Sequence, residues 1–93
     1  LLGETALMAA SSEGHLDIVK LLVNNKADIN ATSLRGVTAL MLASQKGHAD
    51  IVQALLTKGA DVNLKDNNGK TALDYAQKAN YIKIINLIQS YQN

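Results

Sequence analysis

A period of 33 residues runs through the chain. The run GETALMAA at Gly3 returns as GVTALMLA at Gly36 and as GKTALDYA at Gly69, and residues 3–35 and 36–68 agree at 16 of 33 positions. The shared positions include Gly14/Gly47, His15/His48, Asp17/Asp50, Ile18/Ile51, Ala27/Ala60, Asp28/Asp61 and Asn30/Asn63. A unit of this size cannot bury its apolar face alone, so such units stack on one another and share a continuous core. Function then belongs on an extended surface, not in an enclosed pocket. The expected organisation is a single domain over residues 1–93, with units of about 3–35, 36–68 and 69–93.

Composition narrows the class of partner. With 47% apolar residues and a formal net charge of +1, the chain reads as globular and near neutral, without the basic excess that nucleic acid or an anionic membrane surface would call for. No apolar run approaches the roughly 18 residues that span a bilayer. Cysteine is absent, which removes disulfides and thiol chemistry and suits a cytoplasmic or nuclear setting. The chain opens in mid-repeat on Leu1-Leu2, which reads as a fragment of a longer array.

Two short helices are expected in each unit. Thr5, Thr38 and Thr71 precede apolar-periodic runs, where a threonine hydroxyl can accept from an unpaired N–H of the first turn; the first helices fall at about 6–12, 39–45 and 72–78. Asp74, three residues after Thr71, completes a capping-box pattern. Gly14, Gly47 and Asn80 can then turn the chain back through a left-handed residue. Second helices follow at about 16–25, 49–58 and 82–91, with Ile18, Val19, Leu22 and Val23 recurring as Ile51, Val52, Leu55 and Leu56 in a wide apolar stripe. Between units, Ala27-Asp28-Ile29-Asn30 and Ala60-Asp61-Val62-Asn63 lead into polar segments that read as projecting turns held by their own side chains. Lys26 stands where Gly59 ends the second unit's helix, so either Lys26 takes the left-handed conformation at a cost of about 1 kcal/mol or Asn25 does so instead.

These motifs together resemble the ankyrin repeat, whose unit is 33 residues long and opens its first helix on a T-P-L-H-x-A run. The resemblance covers Gly3 to about Tyr91. Ala6, Ala39 and Ala72 stand in place of the family's proline, and Met8, Met41 and Asp74 in place of its histidine. It implies an all-α helical repeat solenoid of about three helix-turn-helix units joined by projecting β-turn loops. The third unit departs furthest, with Asn80-Tyr81 for Gly-His and polar Lys83, Asn86, Gln89 and Ser90 on its last helix, as a C-terminal cap requires. No such adaptation is visible on the first unit. Leu1, Leu2, Leu16 and Leu21 are expected to lie bare there, to be covered by further repeats or by self-association.

Chemical constellations do not withstand inspection. His15 and His48 are a full repeat apart, and stacked helices lie about 8–10 Å from axis to axis, too far for two nitrogens that must each sit about 2.0–2.1 Å from one zinc. A calcium loop aligned on Gly69 would put Leu64 and Tyr75 where acidic ligands are required. No serine has a base and an orienting group beside it, and all six glycines occupy repeat-turn positions, leaving no phosphate loop. The chain therefore reads as a non-enzyme that needs no cofactor and no metal. Single-stranded nucleic acid would call for aromatics interleaved with cations, and the variable surface lacks them.

Subtracting the shared framework leaves the residues that differ between units. They fall on the turns (Glu4; Leu34, Arg35, Val37; Asn67, Asn68, Lys70) and at the ends of the first helices (Ser12, Glu13; Gln45, Lys46; Lys78). In ankyrin-like proteins turns and first helices line a concave binding face, and the resemblance makes these residues the candidate contacts for a protein partner. Leu34 and Val37 are expected to be exposed apolar side chains without an internal purpose. Arg35, Lys46, Lys70 and Lys78 favour a partner with an acidic contact region opposite the second and third units. The alternative role is a scaffold segment that spaces or orients neighbouring domains of a longer protein. Resemblance also raises asparagine hydroxylation at Asn30 and Asn63, against the simpler reading that these asparagines brace their turns.

Overall fold

The computed structural model describes residues 3–92. Six helices follow one another as α1 (Ala6–Glu13), α2 (Leu16–Asn24), α3 (Ala39–Lys46), α4 (Ala49–Thr57), α5 (Ala72–Ala79) and α6 (Ile82–Ser90). Consecutive helices pair as three hairpins, and the described residues contain no strand. The described helices are all too short to cross a membrane. The whole measures about 29 × 25 × 24 Å.

The first helices begin where their threonines place them. Thr5, Thr38 and Thr71 Oγ1 accept from the N–H groups of Met8, Met41 and Asp74 at 3.1, 3.2 and 3.2 Å. The return bond of the capping box runs from Thr71 N–H to Asp74 Oδ2 at 2.9 Å. In the other two units the methionine takes that place, with Thr5 and Thr38 N–H directed at the Sδ of Met8 and Met41 at 3.4 Å, a weaker acceptor. Asp74 thus finishes its helix better than either methionine does.

Stacking order follows from side-chain size. Small residues fill the row between first helices: Ala10, Ala43 and Ala76 are buried, as are Ser11 and Ser44, whose hydroxyls have no hydrogen-bond partner. The second helices instead meet through Val19, Ile51, Val52, Leu55, Leu56, Ile84 and Ile88. Accordingly α1, α3 and α5 pack more closely than α2, α4 and α6. A tight inner row beside a wide outer row curves the stack toward the first helices and their turns.

Two backbone positions fix how units meet. Gly14 and Gly47 are left-handed at φ 82° and 80°, and a Cβ on either would come within 2.8 Å of the ring of His48 or Tyr81 from the following unit. Glycine is needed there for room as well as for φ. His48 Nε2–H also donates to the carbonyl of Ser12 at 3.1 Å, while neither His15 nor His48 caps its own helix through its side chain. The ring of His48 thus ties one unit to the one before. The other position is Lys26, which takes φ 68° while Asn25 stays at φ −102°, so the lysine carries the strain that Gly59 avoids.

Candidate functional site

The turns that project from the inner row are built by one residue each. Ser33 Oγ accepts from the N–H groups of Arg35 and Val37 at 3.3 and 3.2 Å. At the same place in the next unit, Asp66 Oδ1 accepts from Asn68 and Lys70 at 2.9 and 3.0 Å. Asp28 and Asp61 act likewise upstream, holding the N–H groups of Asn30 and Asn63 at 3.1 and 2.8 Å. Neighbouring turns are then tied tip to tip: Asn67 donates from its backbone to Arg35 O at 2.9 Å and from Nδ2 to Leu34 O at 3.0 Å. Asn30 Oδ1 accepts from Asp61 N–H at 2.8 Å. That bond gives Asn30 the bracing role expected of it, and among the described residues the side chain of Asn63 makes no such bond.

Behind the second and third turns lies a groove of about 430 Å³, between the tips and the helices α3 and α5. Arg35, Val37, Gln45, Asn67 and Asn68 line it, which brings together five of the twelve sequence candidates. Val37 is half-buried against the core, so the expectation that it is exposed without internal purpose is corrected: its side chain helps close the second unit while one side forms the groove. Leu34 is 71% exposed on the tip outside the groove. Lys46, Lys70 and Lys78 are exposed beyond the lining, as are Glu4 and Glu13, and Ser12 is half-buried. Glu13 Oε1 stands 3.3 Å from His15 Nε2, an exposed pairing that contributes little. Among the described residues no carboxylate lies within 4.0 Å of Arg35, Lys46, Lys70 or Lys78 nitrogen.

The floor holds a pair that the candidate list omits. Tyr75 OH donates to Asp66 Oδ2, and both side chains line the groove with Met41 and Leu42. Burial opposes ionisation of Asp66, yet the bonds from Tyr75, Lys70 and Asn68 and the charge of Lys70 outweigh it and hold the carboxyl below its usual value. The same bond, aided by burial and by the Asp66 charge, pushes the Tyr75 hydroxyl up to about 12. Both residues depart from their repeat equivalents, Ser33 and Leu42. The variability that marks the exposed candidates extends to these buried and half-buried positions too. No cluster of three or more potential metal ligands occurs among the described residues.

Threonine-capped helix hairpins repeat here in three copies, and the comparison with known families gives the same count. The chain matches the family model for ankyrin repeats, three copies, over residues 7–93. It belongs to the ankyrin repeat family. A curated relative, the ankyrin repeat and KH domain-containing protein mask of Drosophila melanogaster, is 62% identical over 32 residues, which is 34% of this chain and 1% of that protein. The aligned stretch is about the length of one ankyrin unit, and the chain spans a very small part of that relative.

Proposed function

We propose that this ankyrin domain recognises a partner protein through the inner face formed by its turns and first helices, with an acidic region of the partner opposite the second and third units. Ankyrin repeats are in general protein–protein interaction modules, and the family is typically non-enzymatic. The observation that carries the reading is the convergence of Arg35, Gln45, Asn67 and Asn68 on one open groove, with Lys46, Lys70 and Lys78 exposed around it and without ion pairs among the described residues. Unpaired cations beside a concave surface raise the local concentration of an anionic partner and speed its docking. A chain without cysteine suits a cytoplasmic or nuclear setting for this encounter. Self-association through the first unit is a second contact, favoured by the exposure of Ile18 and Leu21; Leu16, expected to lie bare with them, is instead half-buried against the core, and Leu1 and Leu2 lie outside the described residues.

The test uses a partner captured on the tagged chain and identified by mass spectrometry. Reversing Arg35, Lys46 and Lys70 to glutamate should slow association measured by surface plasmon resonance and flatten its salt dependence, without changing helicity. A second groove, of about 250 Å³ between α2 and α4 and flanked by Lys20 and Lys58, lies on the outer row. Reversing Lys20, Lys58 and Lys83 therefore serves as the opposing arm. Loss of the partner in that arm alone would overturn the assignment of the inner face.

A further inference from the structure

The groove between the second and third units differs in chemistry from the rest of the inner face, and the difference specifies an occupant. Its floor is apolar where Val37, Met41 and Leu42 meet, and its volume of about 430 Å³ lies near the lower end of the roughly 300–1,000 Å³ typical of sites that enclose small ligands. That space suits one or two side chains of a longer segment. At the rim, the side-chain amides of Gln45 and Asn68 form no hydrogen bond within the described chain. Each offers both a donor and an acceptor, the combination that a passing peptide backbone can satisfy. Asn67 differs, since its amide is committed to Leu34.

Charge decides the rest. Asp66 is the carboxylate of the lining, and its oxygens are taken by Asn68 N–H, Lys70 N–H and Tyr75 OH. Arg35 has no such engagement, for among the described residues no carboxylate lies within 4.0 Å of its guanidinium. A planar fork of donors left free beside an apolar floor matches a carboxylate bidentately. We infer that this groove selects an extended peptide segment that carries a leucine-, isoleucine- or methionine-like side chain next to an aspartate or glutamate. The apolar side chain seats against Val37 and Leu42, the backbone pairs with Gln45 and Asn68, and the carboxylate meets Arg35. This deepens the inner-face reading and rests on it.

A random-peptide phage library panned on the immobilised domain tests the inference, followed by synthetic peptides of the recovered consensus. Binders should be enriched in an acidic residue within two positions of Leu, Ile or Met. Arg35→Glu should weaken the consensus peptide by about tenfold or more, the equivalent of roughly 1.4 kcal/mol, as should lysine in place of the peptide's acid, while Lys58→Glu should leave binding unchanged. Amide resonances of Val37, Gln45 and Asn68 should shift on titration. Peptides that shift those resonances yet show no acidic preference, or ignore Arg35→Glu, would overturn this inference and leave the inner-face reading standing. Peptides that shift only α2 and α4 would overturn both, and a selection that returns no binder beside a working display control would overturn the inference.

Discussion

Ile18 of the first unit is 46% exposed, whereas Ile51 and Ile84, at the same position in the second and third, are 0% and 1% exposed. Ala6 and Leu22 follow the same pattern, being exposed or half-buried where Ala39, Ala72, Leu55 and Ile88 are buried. These positions face the preceding unit, and on the first unit they keep the apolar residues of an internal interface. The opposite end is treated differently. Ser11 and Ser44 are buried under the next unit, but their counterpart Gln77 is exposed; buried Leu56 becomes exposed Gln89, and buried Met41 becomes half-buried Asp74. The third unit thus changes the face turned away from its neighbour and leaves the face that binds that neighbour as it was. The two ends of this chain are therefore chemically unlike even though their backbones repeat.

Placing a lysine at the isoleucine position breaks that comparison most severely. Ile51→Lys buries an unpaired charge and should exceed the margin of a three-unit array, more than about 4 kcal/mol, so that circular dichroism finds no cooperative transition. Ile18→Lys should cost less than about 0.5 kcal/mol and should abolish any concentration-dependent association seen by light scattering. Equal damage at both sites would mean that the first face is covered within the chain. Truncation of the core comes next. Leu40→Ala, in the central unit, should lose roughly 2–5 kcal/mol in urea melts, and Leu73→Ala, half-buried at the end of the stack, distinctly less.

Smaller effects sharpen the contrast between loops. Asn30→Ala removes the bond to Asp61 and should destabilise by about 1 kcal/mol, whereas Asn63→Ala should stay within about 0.5 kcal/mol; a reversed order would shift the bracing role to the outer loop. The smallest effect is one of pH. Tyr75 holds its proton more firmly folded than unfolded, so its contribution is complete below pH 10, the ordinary tyrosine value, and disappears as pH rises toward about 12. The melting temperature of the native sequence should fall more steeply through that window than that of Tyr75→Phe. Asp66 has the opposite sign: its lowered value gives stability above the ordinary carboxylate range that is lost on acidification.

Helix number, capping threonines and left-handed turns were legible because each depends on residues within a few positions of one another. The helices run to within a residue of the expected bounds at every end. Less legible were the bonds that join units. His48 to Ser12, Asn67 to Leu34 and Asn30 to Asp61 span 36, 33 and 31 residues, and only the assumption of stacking brings such partners together. Val37 and Tyr75 show the same limit. Periodicity marks a side chain as framework or variable, but a half-buried residue can be both, lining a groove on one side and closing a core on the other. Lys26 was decidable only from the backbone, since lysine and Asn25 competed for one conformation.

The ring of His48 against Gly14, and of Tyr81 against Gly47, bears on how such a chain can lengthen. Each contact needs two partners that belong to different copies of the repeat, at a constant separation along the chain. Duplication of the first or the second period reproduces glycine and ring together and needs no accompanying change, whereas duplication of the third would bring Asn80, with its Cβ, to the place of the glycine. Exchange of the third copy's first helix and its Asn80 for an earlier one would separate them, setting a Cβ against the following ring. Inheritance by entire periods is thus the path of least mechanical resistance, and a histidine or a tyrosine can serve as the ring because the glycine asks only for flatness.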